Sequence, residues 1–322
     1  MKVTALFKSL TPYKVAEGAD TLYTYLSSNG VNLDDEHDAF APLISRDPEG
    51  SSEIDTIGFT KAHGMDSYVS DVLGSGVLMF VRHAKRTVPP SAIRARLADK
   101  VAAYEDVVGR KPGRSERRSM QEEAHGELLP RAFVRDTIVP VIFTPDGWLL
   151  VFTSVPARSD AVVTFISVAL RELSQDVGLT NVQLNRELAA WMTSLALGST
   201  NSFQATDFAV MKGEESASIR VTKRDIAFSE VQAAIKAGFR VEEVGLVHTN
   251  NEVFFRLNKS FTLSQVKFSG DKLLDIKENA VDASQEMLSI TWLVISEYRQ
   301  VLVDLIADIN EGFEDEAEEE DY

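Results

Sequence analysis

The chain has 322 residues, 44% hydrophobic and 25% charged, which suffices for a sizeable core and, by length, for about two domains. It contains no cysteine, which excludes disulfides, thiolate metal sites and a cysteine nucleophile together and suits a reducing cytoplasm. Its net charge is −16, its first apolar run is too short for a signal peptide, and no window approaches the roughly eighteen uncharged apolar residues of a membrane span, so a soluble cytoplasmic protein is expected.

Residues 2–8 read as a short strand and 16–28 as a helix ended by Asn29-Gly30. The following segment, rich in Asp, Gly, Ser and Pro, reads as loop with a short strand near 54–59. An apolar run that turns basic over 76–88 predicts another strand. Pro89-Pro90-Ser91 is a good helix start, and Ile93, Leu97, Val101, Tyr104 and Val108 continue it at helical spacing. Gly109 and Lys111-Pro112-Gly113 break that helix, and a second runs over 115–129 until Pro130 stops it. The two form a helical hairpin with its basic connection at an exposed tip.

Strands over 133–143 and 149–154 flank the turn Pro145-Asp146-Gly147. Helices are expected over 160–176 and 184–195, a strand over 217–221 and a short helix over 228–237. Three strands follow over 240–268, then a long helix over 283–309. From Glu311 onward the chain holds eight acids and no base, a block that reads as disordered. It either aids solubility, competes with nucleic acid for the protein's own basic surface, or docks a basic partner.

The stretch 82–118 opposes its surroundings. It carries eleven bases (Arg82, Lys85, Arg86, Arg94, Arg96, Lys100, Arg110, Lys111, Arg114, Arg117, Arg118) against four acids (Asp99, Glu105, Asp106, Glu116). The local balance is +7, leaving −23 for the rest of a −16 chain. Arg131 and Arg135 extend the run. A one-signed excess in an acidic protein is the footprint of nucleic-acid contact through phosphates, although charged runs are more commonly solvated helix faces. Phe133, between Arg131 and Arg135, reads either as a buried strand start, the commoner case, or as an exposed ring that stacks, wedges or pins a partner subunit. Thr222-Lys223-Arg224-Asp225, joined by Arg220, is a smaller basic point, unremarkable alone at a strand end.

Catalytic signals are poor. The five histidines (His37, His63, His83, His125, His248) show no metal-ligand spacing. Gly74-Ser75-Gly76 lacks the rest of a phosphate loop. Asp146 could open a restriction-type nuclease site, but no Glu-x-Lys follows, and aspartate is favoured in such turns for its local hydrogen bonds. No catalytic residue, metal ligand or cofactor is assigned.

Glu127-Leu128-Leu129-Pro130-Arg131-Ala132-Phe133-Val134-Arg135 resembles a specific element of the RdgC family of bacterial recombination-associated DNA-binding proteins. Further similarity lies in Phe7-Lys8-Ser9-Leu10 with Tyr13, in Pro89-Pro90-Ser91-Ala92-Ile93, in Thr222-Lys223-Arg224-Asp225-Ile226 and in Leu305-Ile306-Ala307-Asp308-Ile309-Asn310-Glu311-Gly312. The resemblance implies a ring-shaped homodimer around double-stranded DNA, able to take single strands as well. It binds without marked sequence preference and limits filament formation by a RecA-type recombinase. It also implies that Phe133 reaches across a dimer contact and that Lys223 and Arg224 form a gate-like contact near the DNA.

The expectation is therefore a mixed α+β protein of antiparallel sheets and long helices, forming a ring as a homodimer and located at the nucleoid. Its parts would be an N-terminal portion (1–88), a protruding basic helical hairpin (89–132), an α/β body (133–312) and an acidic tail (313–322). DNA contacts are expected from Arg82, Lys85, Arg86, Arg94, Arg110, Lys111, Arg114, Arg117, Arg118, Arg131, Arg135, Lys223 and Arg224. The alternatives are a metal-dependent exonuclease acting in recombination and an acidic DNA mimic that inhibits a recombination protein.

Overall fold

Side chains alternate between buried and more exposed along 253–258, whereas along 283–311 the buried ones recur every three or four residues. Those two periods build the larger part of the molecule, a sheet and the helix packed on it. The computed structural model describes residues 3–28, 41–50, 53–173, 175, 177–198, 200, 202–214, 217–223, 229–268 and 270–311. In chain order they form β1 (Thr11–Val15), α1 (Ala19–Ser28), β2 (Asp55–Phe59), β3 (Val69–Asp71), β4 (Val77–Thr87), α2 (Pro90–Val108), α3 (Arg114–Leu128) and β5 (Phe133–Phe143). Then come β6 (Trp148–Val151), α4 (Pro156–Glu172), β7 (Leu179–Asn181), α5 (Leu188–Leu195), β8 (Phe203–Lys212), β9 (Ser218–Thr222) and α6 (Ser229–Lys236). The chain closes with β10 (Arg240–His248), β11 (Val253–Asn258), β12 (Leu263–Lys267), α7 (Gly270–Asn279) and α8 (Ala283–Glu311). The fold is mixed α+β with antiparallel sheets, as expected. Among the described residues no helix is long and apolar enough to cross a membrane.

The chain divides into two compact units. The first comprises Met1–Asp38, Lys61–Phe80 and Val139–Tyr322. It holds a five-stranded sheet of order β12-β11-β10-β8-β9, together with the ladder in which β6 joins β5 to β1 and β1 pairs β7. The second comprises Ala39–Thr60 and Val81–Ile138. There β2 pairs the later half of β4, from Asp55 opposite Lys85 to Phe59 opposite Val81, and α2 packs against α3.

One apolar cluster fills the first unit. It joins the inner sheet faces to α5 and to the stripe Met287, Ile290, Val294, Tyr298, Val301, Leu302, Leu305 and Ile309 of α8. Tyr298 is wholly buried, its hydroxyl donating to the Phe7 carbonyl at 2.6 Å. Its ring meets Phe152 and Phe268 edge to face, at centroid separations of 5.8 and 5.4 Å. Burial pushes the Tyr298 phenol well above its ordinary pKa, so the group stays a donor.

Several expectations change. Residues Val3–Phe7 form a 3-10 turn, not a strand, because Val3, Leu6 and Phe7 meet the core from one side at helical spacing. The first strand begins only at Thr11. The helix expected from 160 starts at Pro156, whose ring suits a first turn, and the one expected from 184 starts at Leu188. Four elements had no foreseen counterpart, namely β3, β7, β8 and α7. Strand β8 was hidden by its polar outer residues Gln204, Thr206 and Asp207, and α7 buries none of its residues fully. Asn29-Gly30, Phe228 and the acidic tail lie outside the described residues.

Replacing Tyr298 with Phe keeps the ring contacts and removes only the hydroxyl, leaving the Phe7 carbonyl buried without a partner. We expect a loss of about 1–3 kcal/mol in stability, read from the urea midpoint at unchanged slope; an unshifted midpoint would show that this bond does not anchor the amino-terminal turn.

Candidate nucleic-acid interface

In the second unit α2 and α3 run antiparallel and are tied by ion pairs. Arg96 meets Glu127 at 2.7 Å, and Lys100 meets Glu123 at 3.0 Å and Glu127 at 2.8 Å. Helix α2 ends at Gly109, whose left-handed φ of 71° lets its amide return to the Glu105 carbonyl. Helix α3 begins after Gly113, which has no side chain to cap it, so the capping is done by Glu116. The Glu116 carboxylate accepts from the Gly113 amide at 2.7 Å, from the Tyr104 hydroxyl at 2.6 Å and from both Arg110 nitrogens at 2.9 and 2.8 Å. The Arg110 guanidinium also lies over the Tyr104 ring, 5.5 Å from its centroid.

This turn sets the start of α3, where Arg114, Arg117 and Arg118 fall within little more than a turn. A helix amino terminus already carries partial positive charge, so guanidinium groups there raise a field that an anion relieves. Arg118 is bound to Glu122 at 3.1 Å. Arg114 and Arg117 are exposed and have no side-chain partner among the described residues.

The expected contacts thus separate into two groups. Arg82 is held by Asp47 and Asp136, and Arg86 donates to the carbonyls of Pro48 and Gly50. With Arg96, Lys100, Arg110 and Arg118, they serve to hold local structure. Among the described residues Arg94 donates only to the Pro90 carbonyl of its own helix. Lys85, Lys111, Arg114, Arg117, Arg131 and Arg135 are exposed and, among the described residues, engage no side chain. The charge excess of 82–118 is therefore smaller in effect than its count, because Glu122, Glu123 and Glu127 of α3 neutralise bases that the window counts as free.

Helix α3 gives way at Leu129 to a single 3-10 turn, Leu129–Arg131, in which Leu129 is buried and Pro130 ends the α-helical bonding. Phe133 opens β5 and is 86% exposed, which overturns the buried reading. Arg135 follows two residues on, exposed on the same side of the strand. The ring of Phe133 is thus flanked in the chain by two cations that are unpaired among the described residues.

The second basic point belongs to the first unit. Lys223 is exposed just after β9 and takes a positive φ of 58°, while Arg224 lies outside the described residues. Asp146 serves its turn: its carboxylate accepts from Thr144 at 2.6 Å and from Arg299 at 2.9 Å. Among the described residues no three histidine or acidic side chains come together that could hold a metal ion.

Glu116 makes the tip pH-dependent. Arg110 first, then the Tyr104 hydroxyl and the Gly113 amide, hold its carboxyl down at about 2. A depressed carboxyl pKa stabilises the fold above the unfolded value of roughly 4.3 and loses that effect as pH falls through the folded value. Protection of the Gly113 amide from hydrogen exchange should hold at neutral pH, decline below about 4 and be absent at all pH values in Glu116→Ala, which leaves no acceptor for that amide. Unchanged protection in that variant would remove Glu116 from its capping role.

With this geometry in hand, comparison with known proteins is specific. A family model described as "Putative exonuclease, RdgC" matches residues 6–312. Recombination-associated protein RdgC of Neisseria meningitidis serogroup C (strain 053442) is 25% identical over 297 residues, covering 86% of this chain and 98% of that protein. The protein of the same name from Shewanella halifaxensis (strain HAW-EB4) is 25% identical over 273 residues, covering 83% and 89% respectively. The acid-rich end beyond residue 312 falls outside the family match. With a family model spanning nearly its whole length, the chain belongs to the RdgC family.

Proposed function

We propose that this protein binds double-stranded DNA without sequence preference, encircling it as a homodimer, and that it limits the loading of a RecA-type recombinase. One observation carries the DNA contact. Six bases (Lys85, Lys111, Arg114, Arg117, Arg131, Arg135) are exposed and unengaged among the described residues of a chain of net charge −16. Free guanidinium and ammonium groups neutralise phosphates and release counterions, which gives affinity with no base readout. The name of its relatives, recombination-associated protein, supports the process in which that binding acts.

Phe133 supports the homodimer. A phenylalanine exposed to 86% between two arginines is an unfavourable surface residue unless something covers it. In this reading a second copy does so, closing the ring, and Lys223 with Arg224 forms the other contact between copies. Solvated acidic surface elsewhere repels DNA and confines it to the basic track. No chemical step is needed, and the protein acts by occupying the duplex.

The test is a gel shift on linear and circular duplexes at two salt concentrations. Affinity should fall with a log–log slope of about 0.9 per phosphate neutralised, and replacing Arg114, Arg117 and Arg118 together should weaken binding to unrelated sequences alike. Undiminished binding by that triple variant sinks the assignment of the tip. Magnesium- or manganese-dependent degradation of end-labelled DNA would favour the exonuclease reading, and capture of the recombinase without any DNA shift would favour the DNA mimic.

A further inference from the structure

The five-stranded sheet has two unlike faces. Its inner face, with Ala209 and Met211 of β8, Val244 and Leu246 of β10, and Phe255 and Leu257 of β11, belongs to the core cluster. Strand alternation therefore turns Thr206, Phe208 and Val210, Gly245, and Phe254 and Arg256 to the other side. Phe254 is 47% exposed there.

Two guanidinium groups converge on this face. Arg256 lies over the Phe208 ring at 3.5 Å from its centroid, and Arg220 of β9 approaches the same ring at 5.8 Å. Arg256 stands directly opposite Gly245, and Phe208 lies on the strand beyond. To reach it the side chain must cross β10, and glycine leaves the way open. A Cβ on Gly245 would fall 2.4 Å from the Thr206 hydroxyl and 3.2 Å from the Phe208 Cβ. Neither arginine has a carboxylate partner among the described residues, although Glu243 sits on the same face. Lys267, exposed and paired in register with Phe254, is likewise unengaged. Elsewhere on this sheet lysines are neutralised, since Lys212 and Lys259 both hold Glu242 at 3.0 and 2.7 Å.

We propose that this open face is a second nucleic-acid site, specific for unpaired strands, in which Arg220, Arg256 and Lys267 take phosphates and Phe254 stacks on a base. Two like charges drawn to one ring repel each other, and an anion between them removes that repulsion. The Phe208 ring holds both guanidinium groups on this face and leaves their N–H groups free to donate. Phe254 lies one strand repeat from Arg256, about 7 Å along β11, so a stacked base and a bound phosphate fit side by side. A duplex hides its base faces, and only a single strand offers them to an aromatic side chain on a sheet. Every residue of this site lies in the first unit, so the proposal does not depend on the α3 cations.

The test measures anisotropy of a labelled oligo(dT) strand and a labelled duplex with the full chain. Arg220→Gln with Arg256→Gln should weaken oligo(dT) binding about tenfold or more, and Phe254→Ala alone about tenfold, with duplex binding unchanged in each. The exposed Phe254 can be truncated without opening the core, and Arg256→Lys keeps the charge, so these two variants decide the matter if the double variant folds poorly. Unchanged oligo(dT) binding in Phe254→Ala overturns the proposal. So does competition by inorganic tripolyphosphate as strong as that by unlabelled oligo(dT), which would mean an anion site only. A change in sedimentation of the double variant with oligo(dT) affinity intact would assign the face to a contact between copies and equally overturn it.

Discussion

The carboxylate of Glu116 organises the end of the α2–α3 pair. Three different donors converge on it: a backbone amide that would otherwise stand unbonded at a helix start, a tyrosine from the facing helix, and a bidentate arginine from the connection. Any one of these contacts is weak at an exposed site. Together they fix where α3 begins, and that point decides which arginines share the first turn. Arg114 and Arg117 follow from this placement, free of side-chain partners among the described residues and close to the positive end of the helix. A single acid thus takes Arg110 out of service and positions two others.

That division of labour runs through the whole basic stretch. Arg82, Arg86, Arg96, Lys100, Arg110 and Arg118 are held by carboxylates or carbonyls, while Lys85, Lys111, Arg114, Arg117, Arg131 and Arg135 remain unengaged among the described residues. The acidic balance of the chain has two roles in this account. Nearby acids tie the scaffold down, and in the proposed function the remainder discourages a polyanion from binding elsewhere.

Much of this was legible in the sequence where the signal is local. The two helices, their glycine and proline boundaries and the exposed basic connection follow from capping and periodicity alone. The strands of 240–267 follow from alternation and their asparagine turns. What escaped depends on distant partners. Val3–Phe7 looks like a strand until Tyr298, nearly three hundred positions away, is seen to bind its last carbonyl. Strand β8 has too mixed a sequence to be noticed, yet it carries the Phe208 ring on which Arg220 and Arg256 meet. No local pattern could have revealed that pairing, because it needs the registers of four strands and the missing side chain of Gly245. Phe133 failed for the opposite reason. A phenylalanine at a strand start is ordinarily buried, and this one is not.

Duplex DNA is proposed to lie on the cations around the start of α3 and the start of β5 that are unengaged among the described residues. Hydrogen–deuterium exchange of the full chain with and without a duplex tests it most directly, since it reads the contact by position and needs no substitution. Slowed exchange is expected across Lys111 to Arg118 and across Arg131 to Arg135, reversed by raising the salt. Protection confined to other segments, with these two unchanged at saturating duplex, would contradict it.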